Sequence, residues 1–234
     1  EQGIAIRILA DDRLDLEQAT AAVDDPVHTG HHRGVVTINL MEADPALREE
    51  MRKAMGERYR TLLGHFRHES GHYYWRVAGA ARQPDFNAVF GDETVDYGSA
   101  IERHYAQGPP EDWSTRFVTR YASSHPLEDF AEVWAHYLHM VDTLETAEDA
   151  GVSIHGRAVR LPRKTSARLD LRSDAESFAN MLEDWQSLTS TLNLLTRSLG
   201  VADTYPFALP APVVDKLRFV HQLVGVSHSN RGKS

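Results

Sequence analysis

The chain has 234 residues and a formal net charge of −9 at pH 7, with 41% hydrophobic and 25% charged residues. These values are near globular averages and exclude a disordered, collagen-like or coiled-coil chain, while the scattered basic residues argue against a nucleic-acid surface. The sequence contains no cysteine, which excludes disulfides, thiolate nucleophiles and cysteine-type zinc sites.

The first elements in chain order predict a small sheet. Residues 4–9 are apolar and β-branched and predict a strand, and residues 35–40 are the strongest strand candidate in the chain. Residues 15–23, between them, have a helical composition. Residues 28–34 contain three histidines but no carboxylate at a fixed spacing, so we interpret this segment as a solvated polar loop rather than a metal cluster.

Helices dominate the rest of the chain. Asp44 and Pro45 are typical of an N-cap followed by a first-turn proline, and begin the first of these helices. Segments that contain proline or glycine separate the helices, and we expect irregular structure at residues 79–92, 151–168 and 205–212. The pattern predicts helices at residues 45–57, 59–77, 94–107, 127–146, 175–199 and 212–224. The predicted fold class is therefore α+β and mostly helical.

The second of these helices contains the pattern His-Glu-x-x-His, from His68 to His72. Residues four apart on a helix differ by about 40° in direction and ~6 Å in height, so both imidazoles project from one face and can bind a single ion. Glu69, beside the first histidine, is then placed to act as a general base toward a water at the metal.

A later helix carries two glutamates, Glu128 and Glu132, at the same four-residue spacing. A catalytic zinc takes three protein ligands and keeps one position open for water, and Glu128 can be the third ligand. Glu132 is then suited to accept the free ring N–H of a ligating histidine. The reverse assignment, with Glu132 on the metal, stays open, and Asp129 is less favoured because it lies about 100° around the helix from Glu128.

Other histidines and aromatic residues near these motifs have simpler interpretations. His65 lies one turn before the motif on the same face, and we assign it a supporting or packing role because a fourth protein ligand would exclude water. For His136 and His139, hydrogen-bonded core positions are favoured over positions that line a cleft. We expect core or pocket-wall positions for the aromatic residues Tyr73, Tyr74, Trp75, Trp134 and Trp185.

These motifs resemble a bacterial family of zinc-binding metallopeptidases, the Mx group. The similarity extends from the first strand to Tyr205-Pro206-Phe207, and its most specific segments are residues 63–75, 90–93, 104–110 and 125–139. Members of that family often carry a cysteine-rich zinc ribbon ahead of this region, which this sequence does not contain. Because the sequence also begins at Glu1 rather than at a methionine, we expect an N-terminally trimmed chain.

The glutamate helix is also similar to that of gluzincins of the lethal factor type. That resemblance implies that Glu128 binds zinc and that Tyr121, seven residues earlier, stabilises the tetrahedral intermediate of peptide hydrolysis. A donor to a developing oxyanion typically contributes ~3 to 4 kcal/mol.

The resemblance implies a zincin-like fold and a zinc metallopeptidase, with one catalytic Zn²⁺ ion as cofactor. We expect one catalytic domain with two lobes. Residues 1–115 would hold the active-site helix and residues 35–40 as an edge strand along which an extended peptide pairs, and residues 116–234 would supply the third ligand. Two alternatives stay open: a zinc-binding interaction module without turnover, and a zinc amidohydrolase that acts on a small-molecule amide.

A peptide or protein substrate in the cleft between the lobes is the expected partner. No apolar run approaches the ~20 residues that a membrane span needs, and the N-terminus lacks the features of a secretory signal. We therefore expect no membrane or nucleic-acid partner and a cytoplasmic location.

Overall fold

The computed structural model describes residues 5–9, 30–32, 35–39, 43–54, 57, 59–79, 83–161 and 174–229. The α-helices in these residues, α1 to α7, are Pro45–Ala54, Leu62–Tyr74, Gln83–Phe90, Tyr97–Gln107, Pro126–Asp149, Ala175–Ser198 and Ala211–Ser229. The strands, β1 to β5, are Ala5–Leu9, Gly30–His32, Val35–Asn39, Ser153–Ile154 and Arg157–Ala158. This content confirms a mostly helical α+β protein with little sheet. The helix predicted at residues 15–23 lies outside the described residues.

The N-terminal sheet has the strand order β1-β3-β2, so β3 is its central strand. Strand β1 pairs with β3 in parallel, with Ala5 opposite Val35, and β2 pairs with β3 in antiparallel fashion, with His32 opposite Val35. The prediction of an edge strand at residues 35–40 is therefore wrong, because both sides of β3 are hydrogen-bonded to neighbours. The predicted polar loop at residues 28–34 contains strand β2, and the side chains of its histidines lie outside the described part of the chain.

Several helices begin at residues whose side chains cap the first turn. Asp44 accepts hydrogen bonds from the N–H groups of Ala46 and Leu47, as predicted, and Thr61 accepts one from Gly64 at 2.9 Å at the start of α2. Helix α2 continues into a π-helical turn, Trp75–Gly79. Helix α3 covers most of a segment predicted to be irregular, because a proline in the first turn of a helix is tolerated.

The C-terminal half of the chain contains three long helices and a short hairpin. Strands β4 and β5 form this hairpin, whose turn places His155 and Gly156 at φ of 51° and 79°. The sequence predicted only a polar connection there. Helix α6 matches its predicted range within one residue, whereas α7 begins one residue earlier and ends five residues later than predicted.

A single aromatic core joins both halves of the chain. Trp75 and Phe86 have ring centroids 4.0 Å apart, and Phe86 also packs on Phe130 of α5 and on Phe219 of α7. Trp134 and Trp185 are buried, as predicted. The three aromatic residues after the motif differ in burial: Tyr73 and Trp75 are buried, whereas Tyr74 is 44% exposed. The boundary between lobes at residue 115 stays a prediction.

Within the described residues, no helix combines the length and apolar character that a membrane crossing requires.

Candidate metal centre

The candidate site lies where α2 crosses α5. The two helices approach closely at Gly71, where a Cβ atom would lie 2.9 Å from the Cα of Ala131 and 3.2 Å from Trp134. Because only glycine fits this spacing, the His-Glu-x-x-His turn lies directly against the first turns of α5. Residues separated by more than 50 positions in sequence are thereby brought within hydrogen-bond distance of one another.

Three predicted ligands converge at this crossing. His68, His72 and Glu128 each offer one ligand atom, and these atoms all lie within 4.8 Å of one another. His68 Nε2 is 3.0 Å from Glu128 Oε2, His72 Nε2 is 3.4 Å from Glu128 Oε1, and the two imidazole Nε2 atoms are 3.2 Å apart. Such a set of two imidazoles and one carboxylate matches the donors of catalytic zinc sites.

Glu132 contacts the other nitrogen of His68. Its Oε1 lies 2.7 Å from His68 Nδ1, which leaves Nε2 directed toward Glu128. When the Nδ1 proton is donated to a carboxylate, the tautomer of the ring is fixed and Nε2 carries a lone pair. The geometry thus distinguishes the two glutamates: Glu128 faces both imidazole Nε2 atoms, and Glu132 supports one ring from behind.

The donor set fits a cation. Glu128 is only 1% exposed, and among the described residues its Oε2 accepts no hydrogen bond with suitable geometry, although His68 Nε2 lies 3.0 Å from it. A carboxylate and two imidazole nitrogens that face one another favour a positive charge between them. Burial lowers the pKa of His68, but the Glu128 and Glu132 carboxylates outweigh burial and raise it well above its ordinary value. A divalent ion satisfies the same preference for positive charge.

Glu69 and Tyr121, the two predicted catalytic residues, lie beside this cluster. Glu69 is 8% exposed, and burial raises the pKa of its carboxyl group, while the nearby His68 and His72 lower it. Tyr121 opens a 3₁₀ turn, Tyr121–Ser123, just before α5, and its ring centroid lies 6.0 Å from that of His68. Burial, followed by the charge of Glu128, raises the pKa of the Tyr121 phenol.

Tyr97 is a site residue that the sequence analysis missed. Its hydroxyl donates a hydrogen bond of 2.7 Å to Glu128 Oε1. Tyr97 is the first residue of α4 and lies 31 positions before the glutamate, so no periodic spacing connects the two. The resemblance could not assign it either, because the motifs that carry the resemblance do not include it.

The remaining candidates lie around the cluster. His65 is half-buried and outside the group of three convergent residues. Asp129 points away toward Lys216, whose Nζ is 2.7 Å from its Oδ2. His136 is buried with Nδ1 3.3 Å from the Tyr205 hydroxyl, and burial lowers its pKa to about 4. His136 therefore has the features of the favoured interpretation, a hydrogen-bonded histidine of the core. His139 is partly buried and hydrogen-bonds Arg67.

Comparisons with known proteins agree with this chemistry. Residues 1–223 match the family model Peptidase Mx, which is described as "Putative zinc-binding metallo-peptidase". Curated relatives include uncharacterized protein Rv2568c of Mycobacterium tuberculosis (strain ATCC 25618 / H37Rv) and uncharacterized protein Mb2598c of Mycobacterium bovis. Each is 42% identical over 228 residues, which cover 96% of this chain and 61% of the relative. The chain thus spans about three fifths of the length of these relatives. No solved structure matches it.

Proposed function

The chain belongs to the Peptidase Mx family, and from this premise we propose that it is a zinc metallopeptidase that hydrolyses peptide bonds at a single zinc ion. The observation that carries the proposal is the convergence of His68, His72 and Glu128 directly beside Glu69, with a buried carboxylate oxygen that accepts no hydrogen bond from the described residues. In this proposal the three convergent residues hold the ion, and the fold is of the zincin type.

Glu69 is the proposed general base. Zinc, when bound, would supply Lewis acidity that polarises the scissile carbonyl and lowers the pKa of a water. The Glu69 carboxylate would accept a proton from the attacking water and later deliver it to the leaving amine. A carboxylate whose pKa is raised by burial is suited to both steps, because it takes and returns a proton closer to neutral pH.

Tyr121 is the proposed oxyanion donor. Burial and the charge of Glu128 keep its phenol protonated, so the hydroxyl can donate a hydrogen bond to the oxygen that gains charge in the transition state. The position of the ring beside His68 supports this role, since a carbonyl that is attacked at the cluster would lie between the two side chains.

The proposed substrate is a peptide or protein segment in a cleft between the two proposed lobes, with no nucleic acid or membrane involved. With residues 35–39 in the centre of the sheet, the described edge strands are β1 and β2. We favour β2 for pairing with an extended substrate because it contacts α2, the helix with the proposed ligands His68 and His72. A cytoplasmic location belongs to this proposal as well. The chain covers only 61% of the length of its relatives, so any statement about the substrates and partners of a longer protein is also part of this proposal.

The test compares zinc content and peptide-library digestion for the wild type and single variants. His72→Ala and Glu128→Ala each remove a proposed ligand and should lose zinc. Glu69→Gln should keep stoichiometric zinc and lower the hydrolysis rate by about 10²- to 10⁴-fold, the usual contribution of general base catalysis. Glu102→Gln makes the same chemical change at an exposed position of α4 and should leave both measurements unchanged.

Other outcomes would contradict the proposal in distinct ways. Equal hydrolysis by the wild type and Glu69→Gln would exclude Glu69 as the base. Zinc binding without hydrolysis of any substrate would favour a zinc-binding interaction module. Hydrolysis of small amides and of no peptide would favour the small-molecule amidohydrolase.

A further inference from the structure

We propose that Tyr97 is a positioning residue that holds Glu128 with one carboxylate oxygen, Oε2, facing the metal and the other withheld from it. The inference rests on the proposed zinc centre and adds to it a group that neither the sequence motifs nor the comparisons assign. It concerns how the glutamate binds the ion, and therefore how many coordination positions stay open.

The two oxygens of Glu128 have different surroundings. Oε1 accepts the 2.7 Å hydrogen bond from the Tyr97 hydroxyl and lies 3.4 Å from His72 Nε2. Oε2 lies 3.0 Å from His68 Nε2 and accepts no hydrogen bond from the described residues. Because Glu128 is 1% exposed, Oε2 is a buried acceptor, and a metal ion is a suitable partner for it. The phenol thus selects which oxygen remains for the metal.

The fold fixes Tyr97 at this distance through His125. His125 is the N-cap of α5, where its Nδ1 accepts the N–H of Leu127 at 3.1 Å. Its Nε2 therefore carries the ring proton, which it donates to the carbonyl oxygen of Val95 at 3.0 Å. The same ring packs edge-on against Tyr97, with centroids 5.1 Å apart. One buried histidine thus joins the start of α4 to the start of α5, one turn before Glu128.

The phenol is a suitable group for this task because it stays neutral and protonated. A phenol ordinarily carries its proton throughout the physiological range, so the Tyr97 hydroxyl can donate to a carboxylate there. Without this donor, Oε1 would be free to turn to the ion beside Oε2. Bidentate binding would then occupy the position that a catalytic zinc keeps open for water.

The test measures metal binding in the absence of substrate, on the full chain. Zinc dissociation constants of the wild type and Tyr97→Phe are determined by chelator competition, and the visible absorption spectrum is recorded with Co²⁺ as a replacement ion. We expect Tyr97→Phe to weaken zinc binding by about 10- to 100-fold, the usual effect of removing a group that orients a ligand. We expect its Co²⁺ bands to lose intensity, because a second carboxylate oxygen raises the coordination number.

Tyr105→Phe is the matched control, since it removes a hydroxyl from a 67% exposed tyrosine of the same helix and should change neither measurement. Wild-type affinity and a wild-type Co²⁺ spectrum in Tyr97→Phe would overturn the inference. So would weaker binding with an unchanged spectrum, because general loosening of the fold lowers affinity without changing the ligand atoms. The wild-type curve tests the metal centre separately: a wild type that binds no zinc overturns the proposed function, and the inference with it.

Discussion

At the residue scale, the two glutamates of α5 differ in which histidine atom they contact. Glu128 approaches Nε2 of His68, whereas Glu132 approaches Nδ1 of the same ring at 2.7 Å. A carboxylate that accepts the second ring proton of a ligating histidine holds the ring and makes it a stronger donor to the metal, without binding the ion itself.

We expect Glu132→Ala to weaken zinc binding by about 10- to 100-fold and Glu128→Ala to abolish it, because the first change removes a support and the second removes a proposed ligand. Isothermal titration of the metal-free proteins with zinc measures both effects. Asp149→Ala removes an exposed carboxylate from the far end of the same helix and serves as the control. Full zinc stoichiometry in Glu128→Ala would instead assign the ligand role to Glu132.

The sequence was informative at this scale wherever function depends on helical spacing. The pairs His68 with His72 and Glu128 with Glu132 were recognisable because each lies on one face of one helix. Tyr97 was not recognisable, because its contact with Glu128 depends on where α4 begins relative to α5. That placement is set by tertiary contacts of His125, which local sequence does not encode.

At the element scale, the crossing of α2 and α5 depends on Gly71. A methyl group at this position would overlap the Ala131 backbone, so the helices would have to separate. Separation would move His68 and His72 away from Glu128 and reduce metal binding as well as stability.

We expect Gly71→Ala to lower the free energy of unfolding by about 1–3 kcal/mol, as overpacking commonly does, and to weaken zinc binding. Gly98→Ala is the matched control, because the nearest atom to a Cβ there is 3.8 Å away on Asp96. That change should be neutral or stabilise the protein by about 0.4–1 kcal/mol through a less flexible unfolded chain. Urea unfolding of the metal-free proteins gives both values, and equal stability of the two variants would contradict the close-contact argument.

Elements were predicted well where apolar periodicity was long and less well where segments were short. Helices α5 and α6 each have 24 residues, and their predicted ranges were accurate within a few residues. Helix α3 was missed because Pro84 indicated a break, although proline is compatible with the start of a helix. Strand β2 has three residues and a polar sequence, and it forms because it pairs with β3.

At the scale of the whole molecule, one buried ion pair connects distant parts of the chain. Lys216 of α7 lies 2.7 Å from Asp129 of α5 and donates a hydrogen bond of 2.7 Å to the carbonyl oxygen of Arg116. Both side chains are almost fully buried. Burial raises the pKa of Asp129 to about 7, against the opposing effect of Lys216.

We expect Lys216→Met to destabilise the protein by about 3–5 kcal/mol, because it leaves Asp129 as a buried charge without its partner. The comparison is made by chemical unfolding at a mildly alkaline pH. Because Lys216 lowers the pKa of Asp129, its removal raises that pKa further, so the loss of stability includes the cost of protonating the buried carboxylate. Arg218→Met removes a cation of the same helix that pairs with Asp215 at the surface, and should cost no more than about 1 kcal/mol. Similar losses in the two variants would show that the buried pair has no special importance.

The overall assembly was the part least accessible from sequence. Composition and periodicity predicted a helical protein with a small sheet, and the structure agrees. The pairing of Lys216 with Asp129 across 87 positions, and the order of the strands, depend on how the elements pack in three dimensions. Neither leaves a local pattern.

Strand β2 offers only three residues at the edge of the described sheet. The main-chain groups of successive residues in a strand point in alternate directions. Pairing along these three residues would therefore provide one or two hydrogen bonds to a bound peptide. Selectivity would then have to come from side chains within a residue or two of the bond being cut. The proposed peptidase should therefore tolerate varied sequences farther along its substrates, and should favour segments that are already unfolded.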